Sequence, residues 1–347
     1  MQCGVGQFTL RLAETLEKLE PGSTAPLTLS QTGSTAEIWG AVGSAGNIVC
    51  NFPIVAWKRV ILSPLLALLF ARLRGRRVIL VQHEWSSLHW LRRMTYLPAV
   101  LLANRIVMFS ALVRKELADD PLVGWTARKC TLAPLPPNIE APGGIADSKL
   151  RQRLVEARTQ GRLVIGHFGS IYPAKQPNAL LGICATLKAR GLKPLMVYIG
   201  SFIRAMDNVE EDFYARAREL GVADDVIVSG YVTSHHEVFG LFSELDAFCY
   251  PLDEGITARR SSILASVQSG KPVIVTGPAE ADEFDHHSRF KDLIDRGAIV
   301  PVSRGEGAGA YADRIVAAVK RQSAPVVFDF DGWWRDAGEA IAAEFTP

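Results

Sequence analysis

The sequence predicts an α/β protein of two domains, each built on a parallel sheet covered by helices on both faces. Three observations predict it. The chain has 347 residues, more than a single hydrophobic core usually organises. From about residue 36 onward, short aliphatic and β-branched runs alternate with amphipathic stretches, and continuous apolar strands separated by helices mark parallel sheets buried on both sides. Between the halves stands Pro134-Leu135-Pro136-Pro137-Asn138, followed by Pro142-Gly143-Gly144, a density of proline and glycine that neither a helix nor a central strand carries. The domains are therefore expected at 1–140 and 145–325, and the tail 326–347, with Trp333 and Trp334, is long enough to pack back on the first of them.

In chain order, Gly4-Val5-Gly6 comes first, ahead of an amphipathic stretch carrying Phe8, Leu10, Leu12 and Leu16. It is expected to be a glycine-rich turn opening a helix. Only three residues precede it, too few for a strand feeding the turn, so either the true start lies upstream or the first strand is missing. Strands are expected at Arg77–Gln82 and Arg105–Phe109 in the first half. In the second they are expected at Leu163–Phe168, Pro194–Ile199, Val226–Ser229, Ala247–Tyr250 and Pro272–Thr276, with helices at Asn178–Arg190 and Glu210–Leu220. Such sheets take ligands beyond the carboxyl ends of their strands.

Composition narrows the class. Apolar residues make 48% of the chain and charged residues 21%, an ordinary globular balance that excludes collagen, coiled coil and disorder. The net charge of +2 is unevenly spread, with 16 Lys/Arg against 10 Asp/Glu in residues 1–150 and 22 against 26 in the rest. The basic first half either faces something anionic, such as a phosphate-bearing acceptor or a membrane surface, or reflects chance segregation of solvated charge. Cys3, Cys50, Cys130, Cys184 and Cys249 are odd in number and widely spaced, which reads as reduced cysteines of a cytoplasmic protein. The opening residues have neither the basic nor the apolar region of a signal peptide. The stretch Val60 to Ala71, interrupted by Pro64 and flanked by Lys58, Arg59, Arg72, Arg74, Arg76 and Arg77, is shorter than the roughly 20 residues a bilayer crossing needs. With Trp90-Leu91-Arg92-Arg93-Met94-Thr95-Tyr96-Leu97 it reads either as a membrane- or acceptor-facing surface or as buried helix with snorkelling arginines. No nucleic-acid partner is expected.

Two segments carry chemistry. In Gly166-His167-Phe168-Gly169-Ser170-Ile171-Tyr172-Pro173-Ala174-Lys175-Gln176 a strand ends at a glycine turn, a lysine follows, and a helix begins near Asn178. Backbone N–H groups at a helix start plus one ammonium suit a pyrophosphate; a solvated lysine after a turn is the plainer alternative. In Asp253-Glu254-Gly255-Ile256-Thr257-Ala258-Arg259-Arg260-Ser261-Ser262 an apolar strand precedes and a helix follows. A carboxylate on a Glu-Gly turn accepts hydrogen bonds from sugar hydroxyls, and two guanidinium groups beside it neutralise a diphosphate. The alternative is a turn glutamate with both arginines solvated.

The order GHFGSIYPAKQ, VIVSGYV, ELDAFCYPLDEG and RRSSILASVQSGKPVIVT resembles the donor domain of GT-B glycosyltransferases, in the large retaining family 4, over about residues 160–285. CGVGQFTLRLAETL, VQHEW and APLPPN resemble the first domain more loosely. The resemblance implies two Rossmann-like domains facing each other across a cleft. It implies that Gly4 and Gly6 approach the donor phosphate, that His83 sits beside the reacting sugar with Glu84 next to it, and that Lys175 contacts the diphosphate after the Gly169 turn. It further implies that Glu254 and Gly255 meet the donor sugar, while Gly230, Tyr231, Arg259, Arg260, Ser261 and Ser262 complete the donor site. Two departures stand out: Ser170 occupies the place of an arginine, and Ser262 the place of the second glutamate that holds the ribose. Arg259 or Arg260 is expected to take over the lost phosphate contact.

The pairs His235-His236 and His286-His287 point apart as neighbours do, and Asp329-Phe330-Asp331 lies in the tail away from any nucleotide-fold strand, so no metal and no cofactor is expected. The expected activity is transfer of a hexose from a nucleoside-diphosphate sugar to a glycan or lipid-linked acceptor, in the cytoplasm or at the inner face of a membrane. A sugar-nucleotide epimerase, a phosphorylase and a catalytically impaired nucleotide-sugar-binding protein are the alternatives.

Overall fold

The structure, a computed structural model, describes residues 4–27, 29, 34–53, 61–85, 88–203, 208–321 and 327–346. It forms two units, one of Met1–Asn138, Asp282–His287 and Asp329–Pro347, the other of Ile139–Ala281 and Ser288–Phe328. Both are α/β with wholly parallel sheets, the architecture that the alternating pattern predicts.

The first unit opens with α1 (Gly4–Leu19), whose Phe8, Leu12, Thr15 and Leu16 form one buried stripe, the spacing of an amphipathic helix. The helix begins at Gly4 itself, so Gly4 and Gly6 lie in its first turn rather than in a loop ahead of it. Neither is among the glycines with positive φ. Next comes α2 (Thr35–Ser44), begun by a capping box in which Ser34 Oγ accepts from Glu37 N at 3.2 Å and Ser34 N donates to Glu37 at 3.0 Å. The rest is β1 (Asn47–Phe52), α3 (Leu62–Leu73), β2 (Arg77–Gln82), α4 (Trp90–Leu102), β3 (Arg105–Met108), α5 (Ala111–Ala118) and β4 (Cys130–Leu132). The sheet order is β1-β2-β3-β4. Val78, Ile79, Leu80 and Val81 of β2 are fully buried, as a strand covered on both faces must be.

The second unit runs α6 (Lys149–Thr159), β5 (Leu163–Phe168), α7 (Pro177–Ala189), β6 (Pro194–Ile199), α8 (Val209–Glu219), β7 (Val226–Val228), α9 (His235–Ser243), β8 (Ala247–Tyr250), α10 (Ser261–Val267), β9 (Val273–Thr276), α11 (Ser288–Asp295), β10 (Ile299–Val302) and α12 (Ala308–Arg321). Its sheet order is β10-β9-β8-β5-β6-β7. The direction of strand addition reverses between β5 and β8, and a doubly wound sheet leaves a crevice at that point beyond the strand ends.

The expected second-half domain, 145–325, includes residues 282–287, which the structure assigns to the first unit. The cause is visible in their bonds: the buried Glu283 accepts from Leu112 N at 2.9 Å, His286 Nε2 meets Phe109 O at 3.3 Å, and His287 Nε2 meets Leu135 O at 3.1 Å. The last helix, α13 (Phe330–Ala342), packs on α1 and buries Trp333 and Trp334, the latter donating to Pro137 O at 3.0 Å. Asp329 accepts from Gly332 N at 2.9 Å as the cap of α13.

Candidate functional site

Two loops leave the second sheet at its point of reversal. After β5 the chain turns at Gly169, with φ +122°, and passes through a single 3-10 turn, Pro173–Lys175, to Gln176. Gln176 sits in the left-handed region at φ +49° and leads into α7. This turn folds Lys175 back on the strand end: a Cβ on Gly169 would lie 2.7 Å from Lys175 Nζ. The ammonium makes no hydrogen bond or ion pair among the described residues, and the Tyr172 ring centroid is 5.8 Å away. Burial, then the positive charge of Arg260, pull its pKa down to about 8. A partly desolvated ammonium without a counter-charge is costly for the fold, which is the expected state of a group awaiting an anion.

The second loop leaves β8. Gly255, at φ +76°, lets the chain double back so closely that a Cβ there would come within 2.1 Å of Gly277 O. Ile256 N then donates to Thr276 O at 2.9 Å. The turn presents Glu254, whose carboxylate accepts from Arg259 Nη2 at 3.1 and 3.3 Å and from Arg260 Nη2. Asp253 beside it accepts from Gln176 Nε2 at 2.6 Å, tying the two loops together. Thus Gly169, Lys175, Glu254, Gly255, Arg259 and Arg260 gather around one strand crossover, where two guanidinium groups meet Glu254 and the Lys175 ammonium stands near enough to feel the charge of Arg260.

Ser261 and Ser262 begin α10, and Ser262 Cβ lies 4.0 Å from a Cβ built on Gly169. Ser262 O is held by a relay that residue-by-residue reading does not reveal. Phe168 N donates to the Tyr250 hydroxyl at 3.2 Å, Tyr250 meets Ser266 Oγ at 2.6 Å, and Ser266 Oγ donates to Ser262 O at 3.0 Å. Because Ser266 gives its one hydroxyl proton to Ser262 O, the Tyr250 hydroxyl donates to Ser266 Oγ. Under the loops lies His167, buried, with Nδ1 3.1 Å from Cys249 O. A carbonyl only accepts, so Nδ1 carries the proton. Burial first, then the charge of Lys175, hold the ring's pKa down to about 3, so His167 is a neutral floor to a positive site. Within its apolar run LVIGHF, His167 carries no sequence signal of this place.

Gly230, at φ +74°, and Tyr231, 71% exposed, follow β7 at the sheet edge. They connect toward the centre through Ser229, whose Oγ accepts from Gly200 N at 3.1 Å and donates to Gly230 O at 2.7 Å. Gly200 in turn abuts the Gly169 turn, since its Cβ would lie 2.0 Å from Gly169 O.

In the first unit, His83 follows β2, with N donating to Phe52 O at 2.8 Å and Nε2 3.3 Å from the buried Asn51 Oδ1. Phe8 of α1 meets the His83 ring edge-on at 5.0 Å, which brings the helix bearing Gly4 and Gly6 against the end of β2. The apolar segment near residue 60 becomes α3, with Lys58 and Arg59 outside the described residues. One face of α3 buries Pro64, Ala67, Leu68 and Ala71, while Leu62, Leu69 and Leu73 stay exposed. Likewise α4 exposes Trp90, Leu91, Met94 and Leu101. The exposed Arg72 and the half-buried Arg76 donate to Asn104 Oδ1 and Gly43 O, each at 2.7 Å. Among the described residues no helix is long and apolar enough to cross a membrane.

No family model matches the sequence, and neither does any curated protein. Solved structures do match. A glycosyltransferase from Rickettsia africae aligns over 99% of this chain and 90% of its own, with a TM-score of 0.58 and 13% identity. HepE of Anabaena, solved with UDP-glucose, aligns over 90% and 78%, at a TM-score of 0.53 and 14% identity. The lipopolysaccharide outer core galactosyltransferase WaaB, in its apo form, aligns over 89% and 80%, at 0.53 and 13%. What the chain shares with these is a fold, two Rossmann-like units of the GT-B type.

Proposed function

We propose that this chain is a glycosyltransferase, carrying a sugar from a nucleoside-diphosphate sugar to a glycan or lipid-linked acceptor in the synthesis of cell-surface polysaccharide or glycoconjugate. The observation that carries the reading is the partly desolvated Lys175 ammonium, without a carboxylate partner among the described residues, beside the Arg259–Arg260 pair at the reversal of the second sheet. A diphosphate is the ligand that three converging cations suit, and as a leaving group it gains charge when the anomeric bond breaks, so the same cations stabilise the transition state. In this proposal no metal takes part and configuration is retained. Glu254 and Gly255 orient the donor sugar, Gly230 and Tyr231 meet the nucleotide, and His83 lines the reacting centre. The first unit takes the acceptor, and its Gly4 and Gly6 approach the donor phosphate. HepE crystallised with UDP and with UDP-glucose, and WaaB, a lipopolysaccharide galactosyltransferase, give the reading its chemical class.

A thermal-shift screen of UDP, GDP, ADP and dTDP, repeated on Lys175→Ala, tests the site. A rise in melting temperature with one of them, lost in the variant, is expected, since a charge-assisted contact contributes roughly 1.5–3 kcal/mol. Failure of all four with the wild type refutes the donor site. Binding without turnover across an acceptor screen makes the chain a binding protein instead, and an isomerised donor makes it an epimerase.

The proposal includes a membrane for a lipid-linked acceptor. From residue 38 to residue 115 the sequence holds one acid, Glu84, against eleven Lys and Arg, and the exposed stripes of α3 and α4 lie within that stretch. Basic surface with exposed Trp and Leu suits an anionic bilayer face. Salt-sensitive co-sedimentation with anionic but not neutral vesicles is expected, weakened by Trp90→Ser with Met94→Ser. Recovery wholly in the supernatant at low salt removes the membrane from the proposal.

A further inference from the structure

We infer that Glu254 is a built-in counter-ion of the anion site, occupying Arg259 and Arg260 in the free protein and yielding them to an arriving diphosphate. The exchange rests on the donor reading above and adds a step to it: the same event that seats the diphosphate releases a carboxylate for the rest of the ligand.

Four features support the exchange. Glu254 spans both guanidinium groups, with 3.1 and 3.3 Å contacts to Arg259 Nη2 and a third to Arg260 Nη2, the fork arrangement that a phosphate oxygen pair also fits. The glutamate side chain is 33% exposed while those of Arg259 and Arg260 are 13% and 16%, so the carboxylate is the more solvent-accessible partner of each ion pair. The backbone that carries Glu254 does not depend on the ion pair. Ile256 N to Thr276 O at 2.9 Å, Gly255 packed on Gly277 O, and the 2.6 Å Gln176–Asp253 bond all hold the loop independently, so side-chain rotation alone opens the site. Finally, among the described residues the carboxylate leaves Lys175 unpaired and Arg260 Nε buried without a hydrogen-bond partner. An anion of higher charge engages all three cations, which one carboxylate does not.

Binding and release are therefore linked: breaking the ion pair opposes every bare diphosphate, and only a ligand that gives the freed carboxylate hydroxyl groups regains the loss. The test is titration calorimetry of inorganic pyrophosphate, UDP and UDP-glucose onto the wild type, Glu254→Gln and Glu254→Asp. The glutamine keeps the side-chain shape, and the aspartate keeps the charge with a shorter reach, so either supplies the readout if the other folds poorly. Glu254→Gln is expected to bind pyrophosphate about tenfold tighter or more and to lose any preference of the wild type for UDP-glucose over UDP. The aspartate is expected to fall between. Pyrophosphate affinity in both variants equal to or below that of the wild type overturns the counter-ion while leaving the donor site standing. Absence of binding by pyrophosphate and UDP to all three proteins refutes the donor reading and the exchange with it.

Discussion

On the proposed donor reading, Lys175 makes diphosphate binding depend on pH in the window where its own ammonium titrates. Its pKa in the free protein is about 8, down from 10.5, because burial and Arg260 oppose the charged form. A bound diphosphate does the reverse, favouring the ammonium. The bound form therefore holds the proton more tightly, and affinity must fall as pH rises through the free pKa. If the ligand does no more than restore 10.5, the charged fraction before binding falls from about nine-tenths at pH 7 to about one-tenth at pH 9, and affinity weakens about tenfold. The terminal phosphate of UDP, with its last pKa near 6, is about nine-tenths ionised at pH 7 and more so above it. His167, held to about 3, stays neutral, and burial keeps Tyr250 and Cys249 above the window. The assay is calorimetric titration of UDP at pH 7, 8 and 9 in two buffers of different ionisation enthalpy, which counts the proton taken up. Lys175→Arg, charged throughout, should bind with a flat profile, and Lys175→Met should bind weakly at every pH. A flat wild-type profile, or the same slope in Lys175→Arg, refutes the reasoning.

Three further outcomes follow from the same geometry. Because the folded pKa of Lys175 lies below its unfolded value, the unfolded chain binds more protons between about 8 and 10.5, stability rises with pH there, and the charge is a cost at pH 7. Lys175→Met should then raise the ligand-free stability at pH 7 by about 1–3 kcal/mol in chemical denaturation; a loss of stability contradicts this. Gly255→Ala and Gly230→Ala share a positive φ of +76° and +74°, but only the first meets a backbone atom, Gly277 O at 2.1 Å, while the second has nothing within 4 Å. Gly230→Ala should cost about 1 kcal/mol, and Gly255→Ala clearly more; equal costs in urea unfolding contradict the close approach. Tyr250→Phe removes the hydroxyl that links Phe168 N to Ser266 and should cost about 1–3 kcal/mol, read by thermal unfolding, with Ser266→Ala costing less because Phe168 N keeps its acceptor.

How far the sequence foretold the fold depended on how each strand is buried. RVILVQ, LVIGHF, PLMVYI and AFCY are continuous apolar runs, and they form strands within a residue of the expected limits because both faces are covered. Three strands escaped notice. β1 breaks its run with Cys50 and Asn51, β4 has only three residues, and β10 contains Pro301, which is tolerated because β10 is an edge strand. At the start, two glycines suggested a loop, yet the buried stripe of Phe8, Leu12 and Leu16 continues the helix back through them. Tertiary packing outweighed the glycine penalty of about 1 kcal/mol each. Residue types near strand ends were enough to single out Lys175, Glu254 and the arginine pair. The reversal between β5 and β8, the Tyr250–Ser266 relay and the Glu254 ion pair were not legible, since each joins segments far apart in the chain.

Ser262 and the arginine pair bear on one charge balance. Ser262 Cβ and Lys175 Nζ crowd the same glycine, 4.0 and 2.7 Å from a Cβ built on Gly169. A glutamate at 262 would therefore bring a second carboxylate to Lys175 and the guanidinium groups, and two acids against three cations would leave little charge for a diphosphate. With serine there the excess remains. Ser262→Glu should raise the pKa of Lys175, flatten the fall in affinity between pH 7 and 9, and weaken pyrophosphate binding about tenfold. The measurement is the same titration with pyrophosphate and with UDP. A loss for pyrophosphate alongside a gain for UDP locates the ribose beside residue 262. Unchanged pyrophosphate affinity would mean that Ser262 faces away from the cations, and residue 262 would then have no electrostatic bearing on the anion site.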